Sequence, residues 1–354
     1  MSNGNPILKG RGAADNPANR FELLRYEPIE DGACDERPAP ATQFFKDQTR
    51  SIIATNDSAD VGFDAGINPY RGCEHGCIYC YARPYHEYLG MSAGLDFETK
   101  ILVKEDAPKL LRKELNSSKW VPQVLGMSGV TDAYQPIERQ LQLTRRCLEV
   151  LAEFRNPVGI VTKNRLVTRD IDILQKLAAH GSACVFIAVT TLDAELARVM
   201  EPRATTPAGR LQAIRELTDA GIPTSVLLAP TIPGLTDHEM PAILSAARGA
   251  GAVSAGYTML RLPYGVKDLF TNWLDQHFPE KRDKVLSRVR NMRGGELNDS
   301  RFGTRMKGEG IFADTVRQLF EVTCKKLDFP GRPKLSSSAF RRPNETPLSL
   351  FGEG

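Results

Sequence analysis

The chain has 354 residues, 41% hydrophobic and 25% charged, with 46 Lys or Arg against 43 Asp or Glu and a net charge of +3. That is ordinary for a folded globular chain, with room for one barrel-sized domain or two smaller ones, and too mildly basic to require nucleic acid by itself. No apolar run approaches the roughly 20 residues that cross a bilayer, the opening MSNGNPILKGRG lacks the apolar core of a secretory signal, and seven cysteines, three of them clustered, fit a reducing compartment, so a cytoplasmic protein is expected.

In chain order, residues 1–59 read as an irregular arm, rich in Pro, Asn, Asp and Arg and without periodicity up to about residue 50. A β/α unit of residues 60–263 follows. Gly62 to Asn68 predicts a first strand, APKLLRKEL (Ala107 to Leu115) an amphipathic helix, Trp120 to Gly126 a strand, and Ile137 to Phe154 one helix with Leu141, Leu148 and Leu151 inward. Val158 to Thr162 predicts a strand, and Thr168 caps a helix through Leu177. Ala183 to Val189 is a wholly apolar strand of the kind buried on both faces. A helix opening at Thr206-Pro207, a strand from Thr224 to Ala229, a helix from Asp237 to Ala247 and a strand from Ala252 to Leu260 complete the alternation. Six strands alternating with helices predict a parallel α/β architecture, which a partial (β/α)6 barrel and an open doubly wound sheet would both satisfy. Residues 264–328 predict a helical C-terminal extension, and the Pro- and Ser-rich residues 329–354 a loosely held tail.

Chemistry concentrates in Asn68-Pro69-Tyr70-Arg71-Gly72-Cys73-Glu74-His75-Gly76-Cys77-Ile78-Tyr79-Cys80-Tyr81-Ala82-Arg83. Three thiolates that close, on a loop that Gly72 and Gly76 let turn tightly, can converge on one metal centre. A closed zinc site or an ordinary cubane wants four protein ligands, yet the next cysteines, Cys34 and Cys147, are distant in sequence. Three thiolates on a four-iron, four-sulfur cluster leave one iron for a ligand that is not protein. The competing arrangement is a zinc knuckle completed by His75 or His86.

Cys-x3-Cys-x2-Cys with an aromatic before the last cysteine resembles the signature of radical S-adenosylmethionine (SAM) enzymes. The wider run is similar to the branch related to spore photoproduct lyase, labelled DNA-repair-photolyase-like, and the likeness extends from Gly10-Arg11-Gly12 to Gly308-Glu309-Gly310. The resemblance implies a partial (β/α)6 barrel in which Cys73, Cys77 and Cys80 hold a 4Fe-4S cluster. The fourth iron would chelate SAM, and one electron from a flavodoxin or ferredoxin would cleave it to methionine and a 5′-deoxyadenosyl radical that abstracts hydrogen from a substrate. It further implies that Tyr79 contacts the adenine through its backbone, that Ser128 and Thr131, in the segment Met127 to Pro136, meet the methionyl part, that Lys163 pairs with the cofactor carboxylate, that Thr190 contacts the ribose, and that Ile232, in Pro230 to Leu235, packs the adenine. Gly129 stands where those lyases carry the cysteine that returns hydrogen to the product, a departure from the lyase pattern.

Two classes of function follow. One is a radical SAM enzyme, lyase or transferase, acting on a DNA lesion or, alternatively, on RNA, a peptide or a small metabolite. The other is a non-catalytic zinc- or cluster-stabilised module docking nucleic acid through residues 281–307, where nine Lys or Arg face three Asp or Glu. A solvated helical face is the plainer reading of that segment, and a salt bridge the plainer reading of Glu201 with Arg210. Cys147, Cys184 and Cys324 read as buried apolar residues.

Overall fold

The protein is described by a computed structural model for residues 7–22, 39–127 and 129–343. Its strands are β1 (Gln43–Lys46), β2 (Ile53–Thr55), β3 (Ala65–Ile67), β4 (Tyr70–Arg71), β5 (Lys100–Val103), β6 (Leu125–Met127), β7 (Val158–Thr162), β8 (Ala183–Ala188), β9 (Thr224–Thr231) and β10 (Ser254–Met259). The helices are α1 (Leu95–Thr99), α2 (Ala107–Leu115), α3 (Glu138–Leu141), α4 (Leu143–Phe154), α5 (Ile171–Ala178), α6 (Ala194–Met200), α7 (Pro207–Asp219), α8 (Met240–Gly249), α9 (Val266–His277), α10 (Pro279–Asn291) and α11 (Gly310–Lys326).

The main sheet runs β10-β9-β8-β7-β6-β3-β2. From β3 to β10 every neighbouring pair is parallel, and each strand lies beside its predecessor; only β2 is antiparallel, to β3. A doubly wound sheet reverses its strand order at a switch point, and this one does not, so it is an open (β/α)6 barrel with β10 and β2 as its edges. The apolar run of β8 lies at the sheet centre, buried at five of its six positions. Leu111, Leu148, Leu151, Leu174 and Leu177 of the outer helices pack on Ile160, Val185 and Val226 in one continuous core, as expected for amphipathic helices laid on a parallel sheet.

Several predicted elements differ in extent. Residues 120–124 are not strand: Pro122 cannot donate to a ladder, and Trp120 instead donates its indole N–H to Asn156 at 3.1 Å. The predicted helix over 137–154 is broken at Gln142, whose φ of 50° separates α3 from α4. Thr168 does not cap α5: it lies inside a 3-10 turn over Arg165–Asp170 that Asn164 caps by accepting from Leu166 N–H, and α5 follows from Asp170 without a side-chain cap. The arm contains β1 and β2; β1 joins β5 and β4 in a small second sheet beside the cysteine loop.

The chain beyond β10 occupies both ends of the barrel and its open side. Leu269, Phe270, Trp273 and Leu286 of α9 and α10 pack on Ile78, Tyr79, Ile232 and Leu260, covering the loops at the strands' C-terminal ends. At the other end, Gly331 N–H donates to Val253 O (3.0 Å), Ser336 N–H to Gly181 O (3.0 Å) and Arg341 N–H to Phe154 O (2.9 Å). Residues 299–307 bridge the open side. Met259 N–H donates to Met306 O (2.8 Å) at the β10 edge, while Asp60, between β2 and β3, accepts from Gly303 N–H (2.7 Å) and Arg305 Nε (2.5 Å). Among the described residues no helix is long and apolar enough to cross a membrane.

Asp60 and Arg305 are 8% and 16% exposed, so water screens this tie poorly. Asp60→Asn is expected to lower the unfolding free energy by about 1–3 kcal/mol, read as an earlier urea midpoint; an unchanged midpoint would mean that residues 299–307 do not brace the barrel.

Candidate metal and cofactor site

The cysteine loop leaves β3 at the mouth, the end where parallel β/α barrels carry their reacting groups. Gly72 (φ 79°) and Gly76 (φ 66°) adopt the left-handed conformation that lets it turn twice in five residues. Cys73 N–H donates to Phe97 O (2.9 Å), Ile78 N–H to Met200 O (3.1 Å) and Cys80 N–H to Cys77 O (3.2 Å), which pins the loop to α1 and α6. Cys73, Cys77 and Cys80 are free thiols. Burial pushes all three up from the ordinary thiol range, and Cys73 is raised further by Asp132 and by the other two thiols.

The loop is braced from beneath by a buried ion pair. Arg83 donates to Cys77 O (3.0 Å), Gly76 O (3.2 Å), Ala93 O, Gly94 O and Glu98 (2.5 Å). Glu98 also accepts from Gly12 N–H (3.0 Å) and Ala13 N–H (2.8 Å) of the N-terminal arm. An ideal Cβ on Gly12 would stand 1.8 Å from Gly76 O, so only glycine lets the arm lie this close. The Gly10-Arg11-Gly12 motif thus belongs to the cysteine loop although 60 residues separate Gly12 from Gly72.

A single zinc ion with sulfur ligands at about 2.3 Å needs donors drawn tightly together, and among the described residues no three His, Cys, Asp or Glu side chains converge on one ion. The histidines that could complete a zinc knuckle are committed elsewhere. His75 Nε2 meets Asn164 Nδ2 at 3.2 Å and its Nδ1 stands 3.4 Å from Asp132; His86 Nε2 meets Lys100 O at 2.9 Å. Three thiols on one loop are a donor set that a multi-iron cluster, whose irons are separate attachment points, can take up.

Loops after four strands converge around two carboxylates, Glu201 buried and Asp132 largely so. Asp132, after β6, accepts from Thr162 Oγ1 (2.7 Å), Lys163 N–H (2.8 Å) and Tyr134 N–H (2.9 Å). Burial opposes its charge, but His75 and the two N–H groups outweigh burial and hold its pKa below the usual value. Glu201, after α6, accepts from Arg210, from Tyr79 OH and from Thr190 Oγ1 (2.8 Å), with Lys163 Nζ at 3.8 Å. Burial opposes ionisation here too, yet Arg210 and Lys163 bring its pKa down to about 2.

Of the residues singled out for the cofactor, Tyr79, Lys163 and Thr190 therefore meet at one carboxylate. Lys163 also donates to Ala229 O (2.9 Å), and Tyr79 OH lies 3.3 Å from Thr190 Oγ1. Thr131 donates to Gly72 O (2.6 Å), tying the loop after β6 to the cysteine loop. Ile232, after β9, is buried beside Tyr79 in the apolar cluster under α9 and α10. Ser128 lies outside the described residues, as does Cys34. Gly129 donates its N–H to Asn68 Oδ1 (3.0 Å) and accepts from Tyr81 OH (2.5 Å); a Cβ there would meet nothing within 4 Å. Glu98 and Asn164 carry no local motif, and although Arg83, His75 and Asp132 lie within the segments quoted from the sequence, their hydrogen-bond and charge partners were not foreseen there.

The basic segment is largely consumed internally. Arg288 pairs with Asp237 (3.3 Å), Arg301 with Asp299 and Glu309, and Arg305 with Asp60; Arg293 donates to Leu260 O (2.9 Å) and Thr304 O (3.1 Å), and Lys307 to Tyr257 O (2.7 Å). Arg293 is only 3% exposed, so it cannot line a solvated phosphate track.

A sequence profile described as the Radical SAM superfamily matches residues 67–247. An uncharacterized protein of Mycobacterium tuberculosis is 33% identical over 238 residues, covering 67% of this chain and 69% of the relative. An uncharacterized protein of Methanocaldococcus jannaschii is 29% identical over 223 residues, covering 63% of this chain and 80% of the relative. Among solved structures, a spore photoproduct lyase complexed with dinucleoside spore photoproduct superposes with a TM-score of 0.56 at 15% identity, covering 81% of this chain and 79% of that one. At that identity the match shows a shared fold.

Glu201 gives a pH signature. The folded protein keeps it ionised down to about pH 2, whereas the unfolded chain protonates it near its ordinary value of 4.5, so its contribution is full above that value and lost as pH falls through the interval between them. Glu201→Gln, which strands Arg210, is expected to cost about 3–5 kcal/mol at neutral pH. In urea melts from neutral to acidic pH the gap to wild type should narrow below about pH 4.5; a pH-independent gap would remove Glu201 as an ionised anchor.

Proposed function

Because the chain belongs to the radical SAM superfamily and is an enzyme of it, we propose that Cys73, Cys77 and Cys80 bind a 4Fe-4S cluster whose fourth iron takes SAM. The observation that carries this reading is the donor set: three thiols on one braced loop, two buried and that of Cys80 half-buried, with His75 and His86 both engaged by other partners. When bound, a reduced cluster would supply the electron that cleaves SAM to methionine and a 5′-deoxyadenosyl radical able to take hydrogen from a substrate. A flavodoxin or ferredoxin is the class of one-electron donor this requires.

The chain's own residues hold and orient. Lys163 is a compact cation with three donors, one already fixed on Ala229 O, and is assigned to the SAM carboxylate. Thr190 is assigned to the ribose, Thr131 and Ser128 to the methionyl part, and Tyr79 with Ile232 to the adenine. Glu201 keeps Lys163, Tyr79 and Thr190 in register, and α9 and α10 exclude water from the apolar side of the mouth. A nucleic-acid substrate is supported by the fold shared with a lyase solved with a dinucleoside photoproduct. Lyase chemistry that returns hydrogen from a cysteine at position 129 is not, because that residue is Gly129 and the other described thiols, Cys147, Cys184 and Cys324, lie in helices or at the start of β8.

Anaerobic reconstitution should yield about four irons and four sulfides per chain, with deoxyadenosine formed from SAM under strong reductant. Each of Cys73→Ala, Cys77→Ala and Cys80→Ala should lose the cluster. Lys163→Ala should retain the iron and bind SAM about tenfold more weakly, the loss of one charge-assisted contact. One zinc per chain without iron, or an intact cluster that never cleaves SAM, would overturn the proposal.

A further inference from the structure

Arg261 stands two residues past the end of β10, with its guanidinium 5.3 Å from the centre of the Tyr81 ring. Tyr81 follows Cys80, and its hydroxyl reaches Gly129 O beside open space. Tyr81 therefore links the loop after the first parallel strand both to the loop after the second, at Gly129, and to Arg261 after the last.

Three guanidinium groups crowd this place, and two of them make paired hydrogen bonds to the protein, although the Nε of Arg293 is also buried without a partner. Arg305 is held by Asp60 and Ser58, and Arg293 by the carbonyls of Leu260 and Thr304. Arg261 has no carboxylate paired with it among the described residues. Its polar contact is from Nη1 to the Met306 sulfur at 3.6 Å, and its Nε is buried without a hydrogen-bond partner. Asp60, the acid whose field reaches it, is occupied by Arg305 and Gly303 N–H. Burial and the like charge of Arg305 pull Arg261 below the usual arginine range. A partly dehydrated cation with an idle donor and no counter-charge is unfavourable until an anion reaches it, and a planar fork of N–H donors matches an oxyanion in two places.

We propose that Arg261 is the anion-binding residue for the substrate, taking a phosphate or carboxylate oxygen at the barrel mouth beside Tyr81. The inference deepens the proposed function and rests on it for the reading of this mouth as the reacting end. The substrate is thereby narrowed to an anionic one, its charge supplied by a nucleotide phosphate or by the carboxylate of a metabolite or peptide.

The test is ligand-observed NMR titration of the full-length protein, before and after cluster reconstitution, with inorganic phosphate, thymidylyl-(3′,5′)-thymidine and succinate. Wild type should bind at least one probe, with preference for the dinucleotide or for succinate identifying the source of the charge. Arg261→Gln should weaken that binding about tenfold or more, Arg261→Lys by less, and Arg290→Gln, an exposed control, not at all. Should Arg261→Gln fold poorly by its melting temperature, Arg261→Lys carries the comparison, since it keeps the charge and loses the fork. No binding of any probe to wild type, equal binding by wild type and the folded Arg261 variants, or equal loss in Arg290→Gln would overturn the proposal. Iron uptake and SAM cleavage are measured on the same preparations: their failure counts against the radical enzyme, and the titration reads the anion site separately.

Discussion

One buried carboxylate organises the mouth of this barrel. Glu201 gathers Arg210 from α7, Lys163 from the end of β7, Thr190 from the end of β8 and Tyr79 from the cysteine loop. A carboxylate out of water is tolerable only when its oxygens are saturated by donors, and here the donors arrive on four chain segments that sequence keeps far apart. The requirement to satisfy one charge therefore holds those segments together.

The cysteine loop is constrained on a second side by a similar device. Glu98 and Arg83, both fully buried, tie the loop carbonyls to the N-terminal arm, and the fit of Gly12 against Gly76 leaves no room for a side chain. On the third side, Asp132 and His75 link it to the ends of β6 and β7. A loop held from several directions keeps its thiols in place, and preorganisation of that kind lowers the cost of binding.

Charge is distributed less obviously than the sequence suggests. The Lys- and Arg-rich residues 281–307 serve chiefly as internal fasteners, because an open sheet must have its exposed edges covered, and guanidinium groups reach both backbone carbonyls and Asp60 across the gap. Arg261 lies outside that stretch and, like Arg293 within it, keeps a buried Nε without a partner.

Much of the architecture was legible in the chain itself. The strand pattern was readable because parallel strands buried on both faces must be apolar, so Val158 to Thr162 and Ala183 to Ala188 announce themselves. The Cys73, Cys77 and Cys80 spacing was readable because all three lie within eight residues of one loop. Short strands such as β5 and the break at Gln142 were not, since they depend on neighbours rather than on periodicity. The salt bridge of Glu201 with Arg210 was readable in the sequence, but the gathering of Lys163, Tyr79 and Thr190 at the same carboxylate, the roles of Gly12 and Asp132, and the commitment of His75 and His86 to other partners were decided only by tertiary structure. An isolated charge or a single glycine carries no period; its meaning is set by which distant donor or carbonyl the fold brings within about 3 Å, the reach of a hydrogen bond.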